Sequence, residues 1–288
     1  MKPPRFSYHA PQTLGEAYGL LASLENAKLL AGGQSLMPML NMRFVLPDHV
    51  IDLNGVPELA FIRARDGGIE IGAMTRQREV EFSDGVKAKC PILCEAILQV
   101  GHRQTRNRGT VGGSLCHLDP SAEIATVACA LDATIVIGNA RGERRLPFAE
   151  FPLGYMTPAL EPDEILTSVE FTPWPAGHGW AFAEFARRHG DFAIASAAAM
   201  LMLNADGSIG RAALALGGVT PVPLRAAAAE RALVGQRPSA ELFREAAEIC
   251  RAAEAMEDVH VSRNYRRQLA VVMAERALNA ALARAQGA

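Results

Sequence analysis

Apolar residues first recur at helical spacing in Ala17, Leu20, Leu21 and Leu24. Thr13 stands ahead of them with Glu16 in capping-box position, so the pattern predicts a helix opening at Thr13. Ala27 to Leu30 then reads as a short buried strand, Pro38 to Arg43 as a helical turn whose methionines suit a core, and Val50 to Leu53 as a second strand. Together these make a small β-α-β unit. Phe61 to Ala64 and Gly68 to Ile71 flank Asp66-Gly67, a hairpin signal. Thr75 is placed to cap a helix running through Phe82. Pro91 opens a further helix with Ile92, Leu93, Ala96, Ile97 and Val100 on one side, and Gly101 ends it in the position favoured for a left-handed cap. Asp119 to Ala130 reads as another helix. Thr134 to Ile137 and Arg144 to Leu146 form a hairpin around Asn139 to Gly142, and strands follow at Glu164 to Leu166 and Val169 to Phe171.

Pro173, Pro175, Gly177 and Gly179 then cluster, which marks a domain boundary. Beyond it, Ala181 to Ala186, Ala193 to Leu203 and Arg211 to Leu216 are spaced as antiparallel strands around Asp206-Gly207 and Gly217-Gly218. The alanine-rich middle run has helical composition, but the hairpin spacing favours a strand. Helices over Ala226 to Leu233, Ser239 to Ala253 and Asn264 to Arg284 close the chain, the last with a mostly apolar stripe through Leu269, Val272, Met273, Arg276, Ala277 and Ala280.

A chain of 288 residues suffices for two domains, and 49% hydrophobic with 21% charged residues fits a globular protein. Net charge is −2 and aromatics are 6%, which argues against a nucleic-acid partner. Cys90, Cys94, Cys116, Cys129 and Cys250 are scattered, so they build neither a disulfide framework nor a zinc or iron–sulfur ligand set. The N-terminal residues lack a secretory signal, and the longest apolar run, about Phe192 to Leu203, is too short to span a bilayer. A cytoplasmic location is expected.

The candidate chemistry lies in two glycine loops. Leu29-Leu30-Ala31-Gly32-Gly33-Gln34-Ser35-Leu36 is echoed by Thr110-Val111-Gly112-Gly113-Ser114-Leu115. Each puts a glycine pair after a short apolar run and follows it with serine and leucine. Glycine admits positive φ and close backbone approach, and successive N–H groups in such a turn converge on an anion. Two such loops would grip the phosphates of a dinucleotide, and a side chain at Gly33 or Gly112 would then block the ligand while sparing the fold. Arg103, Arg106 and Arg108 precede the second loop; they suit a phosphate, a partner or an ordinary solvated turn. Glu123 suits the dipole at a helix start, or it points back to a ligand hydroxyl. No Gly-x-Gly-x-x-Gly opens a helix after the first strand, which disfavours a Rossmann dehydrogenase, and neither loop continues into Gly-Lys-Ser/Thr. No Ser-His-Asp or Cys-His constellation stands out, so no catalytic or metal residues are assigned.

Ala31 to Leu36, the Arg106-to-Leu115 loop, and His117 with Asp119-Pro120 resemble the two flavin loops of the FAD subunit of molybdenum hydroxylases, such as the medium subunit of aerobic carbon monoxide dehydrogenase and the FAD subunit of bacterial xanthine dehydrogenase. Ile51-Asp52-Leu53, Pro57-Glu58-Leu59, Ile71-Gly72-Ala73, Gly154-Tyr155 and Arg187 with Gly190-Asp191 extend the resemblance over most of the chain. It implies an α+β fold: a vanillyl-alcohol-oxidase-like (PCMH-type) FAD-binding domain over 1–174, in subdomains of about 1–53 and 54–174, then a C-terminal α+β domain with antiparallel sheet and helices over 180–288. By the same resemblance the cofactor-binding residues are Ala31, Gly32, Gly33, Gln34, Ser35, Leu36, Thr110, Val111, Gly112, Gly113 and Ser114 at the diphosphate, His117 on the flavin side, and Glu123 near the ribose and adenine half. Carbon monoxide-type relatives often carry His at the Gln34 position and many members carry Asp at Glu123, so the substrate class does not transfer. The first loop has no histidine, and FAD is expected to be noncovalent.

The implied function is electron transfer within a complex. Molybdopterin would sit on a large partner subunit and 2Fe-2S clusters on a small one, in a dimer of heterotrimers, and FAD would pass electrons to quinone, oxygen or NAD. The rival within the same fold is a free-standing FAD-dependent oxidase or dehydrogenase, which would need an acid–base residue of its own. None is evident.

Overall fold

The computed structural model describes residues 1–65 and 67–287. Asp66, half of the first hairpin signal, lies outside the described residues, as does Ala288. The N-terminal unit comprises β1 (Ser7–His9), α1 (Leu14–Ser23), β2 (Ala27–Leu30), α2 (Leu36–Asn41) and β3 (His49–Asp52). β3 lies between β1 and β2, parallel to both. β1 is absent from the sequence reading because Ser7-Tyr8-His9 has no apolar alternation. Thr13 caps α1 as expected, its hydroxyl accepting from the Glu16 N–H at 3.2 Å. The Glu16 carboxylate reaches back to the Gln12 N–H at 2.8 Å, one residue before the cap. Ala17, Ile51, Leu53 and Leu59 form the small core together with Met74 and Ile165 from the larger unit.

That larger unit holds β4 (Ile62–Arg65), β5 (Gly68–Gly72), α3 (Gln77–Phe82), α4 (Asp84–Lys89), α5 (Pro91–Gln99), α6 (Arg103–Arg108), α7 (Val111–His117), α8 (Glu123–Ala130), β6 (Thr134–Asn139), β7 (Gly142–Pro147), β8 (Pro152–Gly154), β9 (Thr157–Pro158) and β10 (Ile165–Phe171). The order β4-β5-β10-β6-β7 makes one antiparallel sheet. The strands expected at Glu164 to Leu166 and Val169 to Phe171 are one, β10, α2 starts at Leu36 rather than Pro38, and two helix starts differ for a visible reason. Thr75 does not cap α3: its buried hydroxyl bonds both the N–H and C=O of Phe61, and the helix starts at Gln77. The helix expected from Asp119 starts at Glu123, because the Asp119 carboxylate accepts from the Ser121 N–H at 2.9 Å and turns the chain first. Gly101 ends α5 as expected, at φ 45°.

The C-terminal unit is a four-stranded sheet of β11 (Gly179–Phe185), β12 (Ala195–Leu203), β13 (Ile209–Gly217) and β14 (Leu224–Arg225), followed by α9 (Ala227–Leu233), α10 (Ala240–Ile249) and α11 (Arg263–Ala285). The alanine-rich run is a strand. Ala195, Ala197, Ala199 and Leu201 pack toward α10 and α11. Ala198 and Met200 face the opposite way, into the core of the preceding unit. With α11 on one side and α8 on the other, small side chains let both layers approach; packing here overrides alanine's preference for helix.

The two units share a hydrogen-bonded seam. Glu95 accepts from the Phe182 N–H at 3.2 Å and from Arg284, Ser121 donates to the Ala193 carbonyl at 2.7 Å, and the Gly218 N–H donates to the Pro120 carbonyl at 2.6 Å. No helix among the described residues is long and apolar enough to cross a membrane. The closest layer contact is at Gly179, where a Cβ would overlap the Ala281 carbonyl oxygen. Gly179→Ala is therefore expected to cost about 1–3 kcal/mol through overpacking. Urea denaturation followed by circular dichroism checks it; an unchanged midpoint would refute the close approach of β11 to α11.

Candidate functional site

The first glycine loop is open. β2 ends at Leu30, Gly33 turns the chain at φ 72°, and α2 begins at Leu36. The backbone N–H groups of Gly32, Gly33, Gln34, Ser35 and Leu36 have no partner among the described residues. Gln34 folds its amide onto the Gly32 carbonyl at 3.1 Å, and Ser35 makes no side-chain cap bond. A turn presenting this row of unpaired donors suits an anion with several oxygens.

The second loop is closed. The Gly109 carbonyl accepts from the Gln77 N–H at 2.9 Å, the Val111 N–H donates to the Thr75 carbonyl at 3.1 Å, and the Gly112 N–H donates to the Ala73 carbonyl at 2.8 Å. The Gly113 N–H is bonded to the Thr110 hydroxyl at 3.1 Å, and the Ser114 N–H to the Thr110 carbonyl at 3.1 Å. These donors are engaged within the chain, so the two loops are not equivalent as the sequence echo suggests. The expectation that Gly112 tolerates a side chain with the fold intact also fails: a Cβ there would lie 2.5 Å from the Ala73 Cβ. Gly112 is small because α7 packs directly on the end of β5.

The loops lie side by side. A Cβ on Gly32 would overlap the Arg108 carbonyl oxygen, and one on Gly113 would approach the Ala31 Cβ to 3.3 Å. Two residues absent from the sequence reading tie them together. Asn54 donates to the Ala31 carbonyl at 3.0 Å and accepts from Arg76, and Arg76 donates to the Arg108 carbonyl. Burial, then the neighbouring Arg108 charge, lowers the Arg76 value. Nothing local in the sequence signals this network, because its members come from separate elements. Of the arginines before the second loop, Arg106 is not available to a ligand. It is buried, bonded to the Glu81 carboxylate at 3.0 Å and to the Val100 carbonyl at 3.1 Å. Arg103 and Arg108 are exposed.

α7 carries the chain from the second loop to His117, which burial holds below the usual imidazole value against an opposing pull from Asp119. Glu123 opens α8, buried against the C-terminal sheet. Glu184 of β11 stands opposite Ser196 of β12, and the Glu184 Oε2 and Ser196 Oγ atoms are buried without partners among the described residues. Burial, then the Glu184 charge, pushes Glu123 up to about 8; burial pushes Glu184 up to about 7. Beyond His117, Asp119, Pro120 and Ser121 line a cavity of about 310 Å³ against Phe192, Arg266 and other residues of the C-terminal unit.

Two family models match the chain. Residues 4–174 match the FAD binding domain in molybdopterin dehydrogenase, and residues 180–281 match the CO dehydrogenase flavoprotein C-terminal domain. The 6-hydroxypseudooxynicotine dehydrogenase complex subunit alpha of Paenarthrobacter nicotinovorans is 40% identical over 288 residues, covering 99% of this chain and 97% of the relative. The carbon monoxide dehydrogenase medium chain of Hydrogenophaga pseudoflava is 38% identical, with 99% of each chain covered. A solved carbon monoxide dehydrogenase from that organism, lacking the Mo-pyranopterin moiety of its cofactor, superposes with a TM-score of 0.96 over 99% of each chain.

The acid pair across the seam generates a pH prediction. A carboxyl whose folded pKa is raised binds its proton more tightly in the folded state. Its contribution is favourable at acid pH and is lost as pH climbs from the ordinary value of 4.5 toward about 7 for Glu184 and about 8 for Glu123. Each group adds a downward slope of at most about 1.4 kcal/mol per pH unit. Glu123→Gln and Glu184→Gln should each flatten the fall in unfolding free energy between about pH 5 and 8. If both variants fall as steeply as the parent in urea titrations, the two carboxyls do not titrate in the fold as described.

Proposed function

The chain belongs to the family of FAD-binding subunits of molybdopterin dehydrogenases, and from that premise we propose which of its residues hold the cofactor and what surrounds it. It is the electron-transfer flavoprotein component of an oxidoreductase, passing electrons from the iron–sulfur clusters of a partner subunit through FAD to an external acceptor. FAD supplies the redox chemistry; the protein contributes binding, orientation and electrostatics.

Ala31, Gly32, Gly33, Gln34, Ser35 and Leu36 would hold the FAD diphosphate. The row of unpaired N–H donors from Gly32 to Leu36 is the observation that carries this reading. Thr110, Val111, Gly112, Gly113 and Ser114 form the rigid wall against which that loop is held. His117, whose imidazole value burial lowers, would flank the flavin half. Glu123 accepts from a hydroxyl in the ribose–adenine half, and FAD is noncovalent. Residues 1–174 act as the FAD-binding domain and 180–288 as the C-terminal domain. A large molybdenum-cofactor subunit and a small 2Fe-2S subunit complete the complex as a dimer of heterotrimers in the cytoplasm. The medium chains among its relatives support a complex of several subunits, and Arg103 and Arg108 offer exposed charge for a partner.

The purified chain should retain FAD after desalting, measured as the flavin-to-protein absorbance ratio, and show no turnover until the partner subunits are added. Gly33→Val should lose FAD while keeping most of the fold, the left-handed φ adding strain of about 1–3 kcal/mol. Gly112→Val should instead lower the melting temperature of the apo-protein, since its clash is with Ala73. Glu123→Ala should weaken FAD by roughly 1–3 kcal/mol in apo-protein titrations. Full FAD retention in Gly33→Val would remove the diphosphate from the first loop.

A further inference from the structure

The open loop offers N–H groups to an anion, and the cation tied to it by hydrogen bonds is Arg76. The Arg76 backbone bridges Thr110 at the start of the second loop. Its side chain reaches toward the first. Nη1 donates to the Arg108 carbonyl and Nη2 to the Asn54 side-chain oxygen. A Cβ on Gly32 would overlap that same Arg108 oxygen, and Asn54 holds the Ala31 carbonyl at 3.0 Å. One guanidinium therefore braces the contact between the two loops at both of its ends.

That guanidinium has no counter-charge in the chain. Both of its acceptors are neutral. Neighbouring Arg78 and Arg106 share the Glu81 carboxylate, at 2.7 and 3.0 Å, whereas Arg76 forms no ion pair among the described residues. The acids around it are committed elsewhere. Glu79 accepts from the Arg76 backbone N–H at 3.2 Å. Asp52 accepts from the Tyr8 hydroxyl at 2.6 Å and from the Asn54 N–H at 2.9 Å. Burial and the adjacent Arg108 charge lower the Arg76 value, and the pull of Glu79 and Asp52 offsets only part of this. A half-buried cation facing neutral acceptors beside a second cation costs free energy that a bound anion would offset.

We propose that Arg76 is a positioning residue for the FAD diphosphate, fixing the first loop through Asn54 and the Arg108 carbonyl and supplying the positive charge that the loop's N–H groups lack. The inference rests on the FAD reading above, which assigns dipoles to the diphosphate but no cation. Arginine suits both tasks, because its fork meets two acceptors at fixed angles while its charge persists at any working pH. The charge is built into the folded chain, so no side chain has to be recruited when the cofactor arrives.

The test uses the full chain stripped of FAD. The apo-protein is titrated with FAD at several KCl concentrations, and ADP serves as a competitor that carries a diphosphate without a flavin. In the parent, FAD affinity should fall as salt rises, because ions screen a charge attraction. Arg76→Gln, which keeps donors and removes the charge, should weaken FAD about tenfold at low salt, the equivalent of ~1.4 kcal/mol. It should also flatten the salt dependence and raise the ADP inhibition constant by a similar factor. Arg76→Lys, which keeps the charge and loses the fork, should lose less affinity and retain the parent's salt dependence. A merely structural brace gives another pattern: both variants lose affinity alike, the salt dependence stays as in the parent, and the apo-protein melts lower. That pattern overturns the proposal, as does an Arg76→Gln protein that binds FAD as tightly as the parent. If Arg76→Gln does not fold, the parent and Arg76→Lys decide. A parent affinity indifferent to salt, or a salt dependence lost in Arg76→Lys, overturns the proposal. A parent chain that binds neither FAD nor ADP would instead sink the FAD reading on which the inference rests.

Discussion

The site depends on the pairing of the second glycine loop with the segment Ala73 to Gln77. Bonds from Val111 to Thr75, from Gly112 to Ala73 and from Gln77 to Gly109 zip the two stretches together as a short irregular ladder. This uses the loop's own donors and makes it a rigid wall. The first loop leans on that wall through Gly32, whose missing side chain leaves room for the Arg108 carbonyl. Asn54 and Arg76 fasten the contact from the side. With its partner loop closed, the first loop is left with unpaired donors and a fixed shape. Preorganised N–H groups bind an anion without reordering on contact, which is how a short turn can hold a charged cofactor.

The second constraint is the shared seam. The C-terminal sheet has no free face: α10 and α11 cover one side, and α8, with the core of the FAD-binding unit, covers the other. Alanine is frequent in the central strands, where small side chains let both layers approach. The same closeness buries polar groups from both units together. Glu184 and Ser196, with buried atoms left unpartnered among the described residues, and Glu123, itself proposed for the cofactor, are the cost of that arrangement. A domain that contributes no glycine loop thus shapes the site by completing its walls and the cavity behind it.

Much of this was legible in the amino-acid sequence, and the parts that were legible share a cause. Helix caps such as Thr13, turns such as Gly101, and strand spacing in the alanine run are set by nearest neighbours along the chain, so local rules find them. The paired glycine loops were visible because glycine followed by serine and leucine is a backbone requirement written in residue identity. The family resemblance rested on those same motifs, and it led to the fold, the cofactor and the kind of complex.

Tertiary structure decided what local rules cannot see. Arg106 reads as a surface cation beside a phosphate loop, yet Glu81 and the end of α5 enclose it. Thr75 reads as a cap, yet Phe61 takes its hydroxyl. The two glycine pairs look alike in sequence, yet one is open and the other spent, because only the second has a strand end within hydrogen-bond reach. Glu123 meets Glu184 only once the C-terminal sheet packs on α8. In each case a residue's role depends on partners brought close by folding from distant parts of the chain, and the spacing of residues along the sequence carries no record of those meetings.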